Sequence, residues 1–132
     1  MPLYRAHLYS QSPLVHTAAT VDDRDVWLPT MQMIALEGRC FVVSACQYMT
    51  RGHVFADWYQ PIQGTSPDTV LIRGGSCIVD PMGNALAEPV FNKEALITAE
   101  IDLDDIPRAR FDMDNAGHYT RPDVFDLSIK RI

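Results

Sequence analysis

A layered α/β domain is the fold class that this sequence predicts, and three observations predict it. Residues 14–17 are short and partly β-branched, which predicts a buried strand. Trp27, Met31, Ile34 and Ala35 recur at i, i+4, i+7 and i+8, which puts one apolar face on a helix. Residues 40–46 are almost wholly apolar, the pattern of a strand buried on both faces of a sheet. Strand, helix and strand in that order, followed by short β segments between turns, predict sheet and helix packed in layers.

Each element follows from local chemistry. Residues 3–9 read as the last turns of a helix whose only start signal is Pro2, and the Ser10-Gln11-Ser12-Pro13 run breaks it. Asp22 or Asp23 supplies the start of the next helix, since either carboxylate can accept from free N–H groups and suits the positive end of the dipole. Pro29 requires an irregular first turn or a start just before it. Gly38 is placed to cap the other end. Residues 47–68 read as a long polar and aromatic loop, broken by Gly52, Pro61, Gly64 and Pro67. Residues 69–72 and 76–79 read as strands around a Gly74-Gly75 kink. Residues 80–84 read as a turn, and residues 85–87 as a short returning strand. Residues 95–103 alternate, which predicts a half-buried strand. Asp104 and Asp105 cap a short helix through Arg110, residues 112–122 are irregular, and residues 123–129 form a last strand. No repeat, linker or low-complexity tract divides the chain, so residues 1–132 are read as one unit.

The bulk composition narrows the function classes. The chain has 132 residues, 47% of them hydrophobic and 21% charged, with a net charge of -6. That balance argues against disorder and against a nucleic-acid binder, which needs a basic patch. No apolar run approaches the roughly 20 residues of a membrane span, and the N-terminus has no secretory pattern, so the expected location is cytoplasmic. The three cysteines, Cys40, Cys46 and Cys77, fit no zinc spacing and are expected to be reduced and largely buried.

No catalytic constellation stands out in the residues themselves. A nucleophilic Cys needs a lowered pKa and a base in reach. Cys40 follows Arg39 but opens an apolar strand, and Cys77 lies inside another, so both read as core. Cys46 ends its strand nearer an expected surface. His7, His16, His53 and His118 show no metal-ligand spacing, and no metal or cofactor is expected. Ser76 lacks the Gly-x-Ser-x-Gly elbow of a serine hydrolase, and Gly74-Gly75 is too short for a phosphate loop. The acidic residues read as helix caps and a solvated face.

Two phrases carry a family signal: Glu37-Gly38-Arg39-Cys40-Phe41-Val42-Val43-Ser44-Ala45-Cys46-Gln47 and Gly117-His118-Tyr119-Thr120-Arg121-Pro122-Asp123-Val124-Phe125. With Arg73-Gly74-Gly75-Ser76-Cys77-Ile78-Val79-Asp80-Pro81 and Ala99-Glu100-Ile101-Asp102 they resemble the nitrilase branch of the carbon-nitrogen hydrolases, phrase by phrase and in order. The resemblance implies the C-terminal portion of an α-β-β-α sandwich, residues 1–132 being part of one carbon-nitrogen hydrolase domain. In that family a Cys in a Cys-Trp-Glu motif attacks a nitrile, a Glu acts as base, and a Lys stabilises developing charge. A thioimidate forms on the Cys, and water then releases the carboxylic acid. Cys-Trp-Glu occurs nowhere here, and Met1-Pro2-Leu3-Tyr4-Arg5 is similar to the residues just after it. The resemblance therefore leaves this chain without Cys, Glu or Lys of the catalytic set, so no residue is assigned as catalytic. It makes Thr20, Cys46 and Gln47 the expected substrate-lining residues, at strand ends beside the nucleophile strand. The chain departs from the family at Ala19, where Pro is usual, and at Ser12-Pro13, where Gly commonly sits. The implied partners are a small nitrile in the full-length form and either a second copy in a homo-oligomer or a nitrilase N-terminal half. A non-catalytic half-domain that binds or assembles with a nitrilase is the alternative.

Overall fold

The computed structural model describes residues 1–54 and 60–130. Its elements are α1 (Pro2–Ser10), β1 (Val15–Thr20), α2 (Trp27–Gly38), β2 (Phe41–Cys46), β3 (Tyr48–Thr50), β4 (Val70–Arg73), β5 (Cys77–Val79), β6 (Ala85–Ala87) and α3 (Asp105–Asp112). The main sheet has the order β1-β2-β5-β6, with β1 and β2 parallel and the other pairs antiparallel. Parallel neighbours need a crossover, and α2 provides it.

The apolar stripe read from the sequence is the face that α2 buries. Met31, Ile34 and Ala35 pack with Val42, Cys77 and Val79, and Trp27 and Ala18 lie against the same cluster. Burying each of Met31, Ile34, Val42 and Val79 contributes about 1.5–3 kcal/mol. A polar bond crosses the layer: the Trp27 indole N–H donates to Ser44 Oγ at 2.7 Å, and that hydroxyl donates to the Ala18 carbonyl at 2.8 Å. α1 is fastened to α2 through Glu37, whose carboxylate accepts from the Tyr9 hydroxyl and from Arg5.

The sequence expectations are corrected at several points. β2 is not buried on both faces, because α2 covers only one. Val42, Ser44 and Cys46 point to the helix, whereas Val43 is 37% exposed and Ala45 is exposed. The same bare side carries exposed Val15, Thr17 and Ala19 of β1. β1 is therefore half-exposed, not the buried strand expected of residues 14–17, and it runs on to Thr20. Its outer edge has no strand partner among the described residues.

Asp22 and Asp23 do not start α2. The helix begins at Trp27 with Val26 at its N-cap and no side-chain cap, which leaves Pro29 in the first turn, where its missing N–H costs nothing. Both carboxylates are used elsewhere: Asp22 accepts from the Arg24 backbone and guanidinium, and Asp23 accepts from the Arg73 backbone N–H at 2.8 Å. Gly38 is the last helical residue, not the cap. The left-handed residue is Arg39, at φ 44°. Gly38 is needed for space, since a Cβ there would stand 2.7 Å from the Tyr9 ring.

The loop expected at 47–68 holds β3 and a 3-10 turn over Arg51–His53, and β3 pairs with β4 in a separate two-stranded sheet. Residues 55–59 of that stretch lie outside the described residues. The Gly74-Gly75 kink, with φ of 91° and 113°, carries the chain from β4 in this sheet to β5 in the main one. The turn at 80–84 and the strand at 85–87 are as expected.

Residues 95–103 and 123–129 form no strand. A strand needs a ladder as well as alternation, and neither segment has a neighbour to supply one among the described residues. α3 runs past Arg110 to Asp112. No side chain caps its first turn: Asp104 stands at the N-cap without a cap bond, and Asp102 accepts the N–H of Asp104 itself at 2.9 Å. Arg110 donates to the Pro13 carbonyl and Arg39 to Asp112, so α3 closes the N-terminal end of the β1–β2 pair.

Two substitutions test this packing. Gly38→Ala should lower stability by about 1–2 kcal/mol, because the steric push on Tyr9 outweighs the better helix propensity of Ala. An unchanged or higher urea midpoint would count against it. Ser44→Ala should cost about 1–3 kcal/mol by stranding the Trp27 N–H. If Trp27→Phe in the Ser44→Ala background restores none of that loss, the bridge is not the cause.

Candidate functional site

With α3 at one end of the parallel pair, the other end is free. The C-terminal residues of β1 and β2 are register partners, Thr20 beside Cys46. A pocket of about 370 Å³ opens there. Thr20, Cys46 and Gln47, the three residues expected to line a substrate site, all border it, together with Ser76, Lys93 and Glu94. Open α/β sheets commonly place ligands beyond the carboxyl ends of their strands, where the diverging chain leaves a crevice.

Ser76 is the residue that sequence reasoning missed. Its hydroxyl accepts the Cys46 N–H at 3.0 Å and donates to the Cys46 carbonyl at 3.1 Å. One side chain thus closes the ladder where the glycine kink has taken the backbone of β5 away from β2. The signal was present in the Gly74-Gly75-Ser76 phrase: flexible backbone followed by a short hydroxyl side chain suits such a closure. Lys93 and Glu94 reach the same pocket from the segment after β6, and no periodic pattern marks them.

A second anchor holds the other rim. Arg73 donates from its backbone N–H to Asp23 Oδ2 at 2.8 Å and from Nε to the Asp23 carbonyl at 2.7 Å. Its guanidinium pairs with Asp25 and lies 4.3 Å from the centroid of the Phe91 ring. The loop that follows Thr20 is therefore tied to the β4–β5 kink. Arg24 beside Asp22 pulls that carboxylate down to about 2, so it is charged at neutral pH.

None of the thiols is activated. Cys40 and Cys77 are fully buried, and burial pushes each thiol up to about 11. Cys46, expected near a surface, is only 4% exposed, because Asp22 closes over it with its carbonyl 3.8 Å from Sγ. Burial raises its pKa, and the carboxylates of Asp23 and Asp22 add to the rise. A nucleophilic thiol needs the opposite shift. His118 is exposed and tilts against Tyr119, away from this pocket. Among the described residues no three His, Cys, Asp or Glu side chains are grouped to hold a metal ion. No helix among them is long and apolar enough to cross a membrane.

Comparison with known proteins gives this geometry a family. The carbon-nitrogen hydrolase profile matches residues 9–111. Nitrilase blr3397 of Bradyrhizobium diazoefficiens is 56% identical over 129 residues, covering 98% of this chain and 40% of the relative. An aliphatic nitrilase of Sinorhizobium fredii is 52% identical, covering 98% of this chain and 42% of the relative. The chain thus spans about two fifths of the length of these relatives. A carbon-nitrogen hydrolase from Helicobacter pylori G27 superposes with a TM-score of 0.68 at 18% identity, over 93% of this chain and 43% of the other. The α/β arrangement described above is thus the fold of that protein over the shared portion. With the profile match extending from Tyr9 in α1 to Phe111 in α3, the chain belongs to the carbon-nitrogen hydrolase family.

Proposed function

We propose that this chain is the C-terminal portion of a nitrilase. In its complete form the enzyme converts a nitrile to a carboxylic acid and ammonia through a thioimidate on a cysteine. The Cys, Glu and Lys of that reaction come from a segment outside these 132 residues. The observation that carries the reading is the state of the three thiols: each is buried and shifted toward its neutral form, which supports a nucleophile outside these residues. The bare sheet face and the free edge of β1 support it, since a missing strand and a second sheet would cover both. The nitrilase names of the relatives give the substrate class.

In this reading the chain supplies part of the pocket wall. Thr20, Cys46 and Gln47 flank the nitrile at the strand ends, and Ser76 holds that lip in place. The thiols remain reduced, which fits a cytoplasmic enzyme. Exposed Tyr119, Phe125 and Leu127 offer apolar surface for a homo-oligomer contact. The alternative is a non-catalytic half-domain that pairs with a nitrilase, and the uncovered face favours that as well.

A chimera separates the two. This chain replaces the matching residues of the Bradyrhizobium nitrilase, and ammonia release from aliphatic and aromatic nitriles is measured. The chimera should keep activity, and its Cys46→Ser form should keep it too. A folded but inert chimera sinks the catalytic reading, and retention of this chain by an intact nitrilase on a column would then support the half-domain. A Cys46→Ser form that alone is dead would place the nucleophile in this chain.

The thiols make a second prediction. In the native chain at pH 8, an aromatic disulfide reagent should label none of the three cysteines quickly and all three in denaturant. One fast stoichiometric thiol in the native state would overturn the assignment. The pH dependence has a definite sign. A raised folded pKa adds stability below the ordinary thiol range near 9, and that stability is lost as pH rises toward about 11. The urea midpoint should therefore fall between pH 9 and 11, and less so in a Cys77→Ala variant.

A further inference from the structure

A poorly satisfied buried cation follows the end of α2: Arg39. Its side chain is 5% exposed. Nη2 donates to Asp112 at 2.9 Å, but that carboxylate is 65% exposed and shares its charge with water. Nη1 donates to the thioether sulfur of Met82 at 3.1 Å, and Nε has no hydrogen-bond partner among the described residues. A thioether is a weak acceptor. A buried guanidinium is thus served by one shared carboxylate, one weak acceptor and an empty donor position.

Met82 is accessible as well, at 47% exposure. Its place is set by a tight turn. Asp80 accepts from the N–H groups of Met82 and Asn84, Gln32 donates to the Gly83 carbonyl, and Gly83 packs against Leu36 of α2. The turn thus presents a half-exposed methionine whose sulfur meets Arg39.

We propose that Met82 is an oxidation site for hydrogen peroxide and related hydroperoxides, and that Arg39 retains the resulting sulfoxide. A sulfur lone pair attacks one peroxide oxygen, and the S–O bond forms as the O–O bond breaks. The leaving hydroxide takes the proton from the transferred oxygen and departs as water. Sulfur is oxidised by two electrons and the peroxide is reduced by two. Sulfoxide formation ordinarily loosens packing, because it makes an apolar side chain polar. Here it replaces a weak acceptor by a strong oxygen acceptor beside an under-satisfied cation. Oxidation therefore tightens the junction of β2, the 80–84 turn and the end of α3.

The test uses differential survival. The purified chain is partly oxidised with dilute hydrogen peroxide and pulsed with protease just above its urea midpoint. Sulfoxide is then quantified by mass spectrometry of tryptic peptides before and after. The tryptic peptide 74–93 contains Met82 as its only methionine. Met33, at 54% exposure, and Met49 are internal references. The odds of sulfoxide at Met82 should be about tenfold higher in the surviving folded chain, as a hydrogen bond to a charged donor implies, with no such enrichment at Met33 or Met49. Met82→Gln, which supplies an amide oxygen, should also have a higher urea midpoint than Met82→Leu. Depletion or no enrichment at Met82, or a Met82 that stays reduced while Met33 oxidises, would overturn the proposal.

Discussion

The Ser44 hydroxyl holds three parts of the structure at one point. It receives the Trp27 indole N–H from the start of α2 and gives its own proton to the Ala18 carbonyl of β1, while sitting in the middle of β2. It is 1% exposed, so neither bond has water as a substitute. The helix, the edge strand and the central strand are therefore kept in one relative position. The pocket beyond Thr20 and Cys46 inherits that position, since both residues are the next steps along the same two strands. Ser76 repeats the device at the pocket itself, where a hydroxyl again stands in for a backbone partner.

The second governing fact is asymmetry. One side of the sheet carries the helix and a close-packed cluster. The other carries exposed Val15, Val43 and Ala45 beside a strand edge with no partner among the described residues. Apolar surface on a central strand normally has a cover. This asymmetry and the raised thiol pKa values have the same consequence for function. The chain has a shaped pocket lip and a sheet to support it, and among the described residues it has no activated cysteine. Both features support the proposed reading of the chain as part of a larger nitrilase, and the chain spans about two fifths of the length of its nitrilase relatives.

Legibility in the sequence followed the range of the interaction. The α2 stripe was readable because its period is local: Met31, Ile34 and Ala35 are buried and Trp27 is partly buried against the same cluster. The 80–84 turn was readable because Asp, Pro, Gly and Asn act on their own backbone. Asp22 and Asp23 misled for the same reason: they are good caps by type, but Arg73, fifty residues away in sequence from Asp23, competes for one of them. Gly38 misled because its requirement is steric and comes from Tyr9. The pocket residues Thr20, Cys46 and Gln47 were named through the family resemblance, whereas Ser76, Lys93 and Glu94 were not.

By itself, the sequence determined the order of β1, α2 and β2, the face of the helix that is buried, the kink at Gly74-Gly75 and the family of the chain. These rest on periodicity, on backbone freedom and on phrases of neighbouring residues. Only the tertiary structure decided that β2 is covered on one side, that Cys46 is buried, that residues 95–103 have no strand partner among the described residues and that Ser76 closes the ladder. Each of those depends on whether a second segment arrives alongside the first, and a strand or a thiol carries the same local pattern in either case.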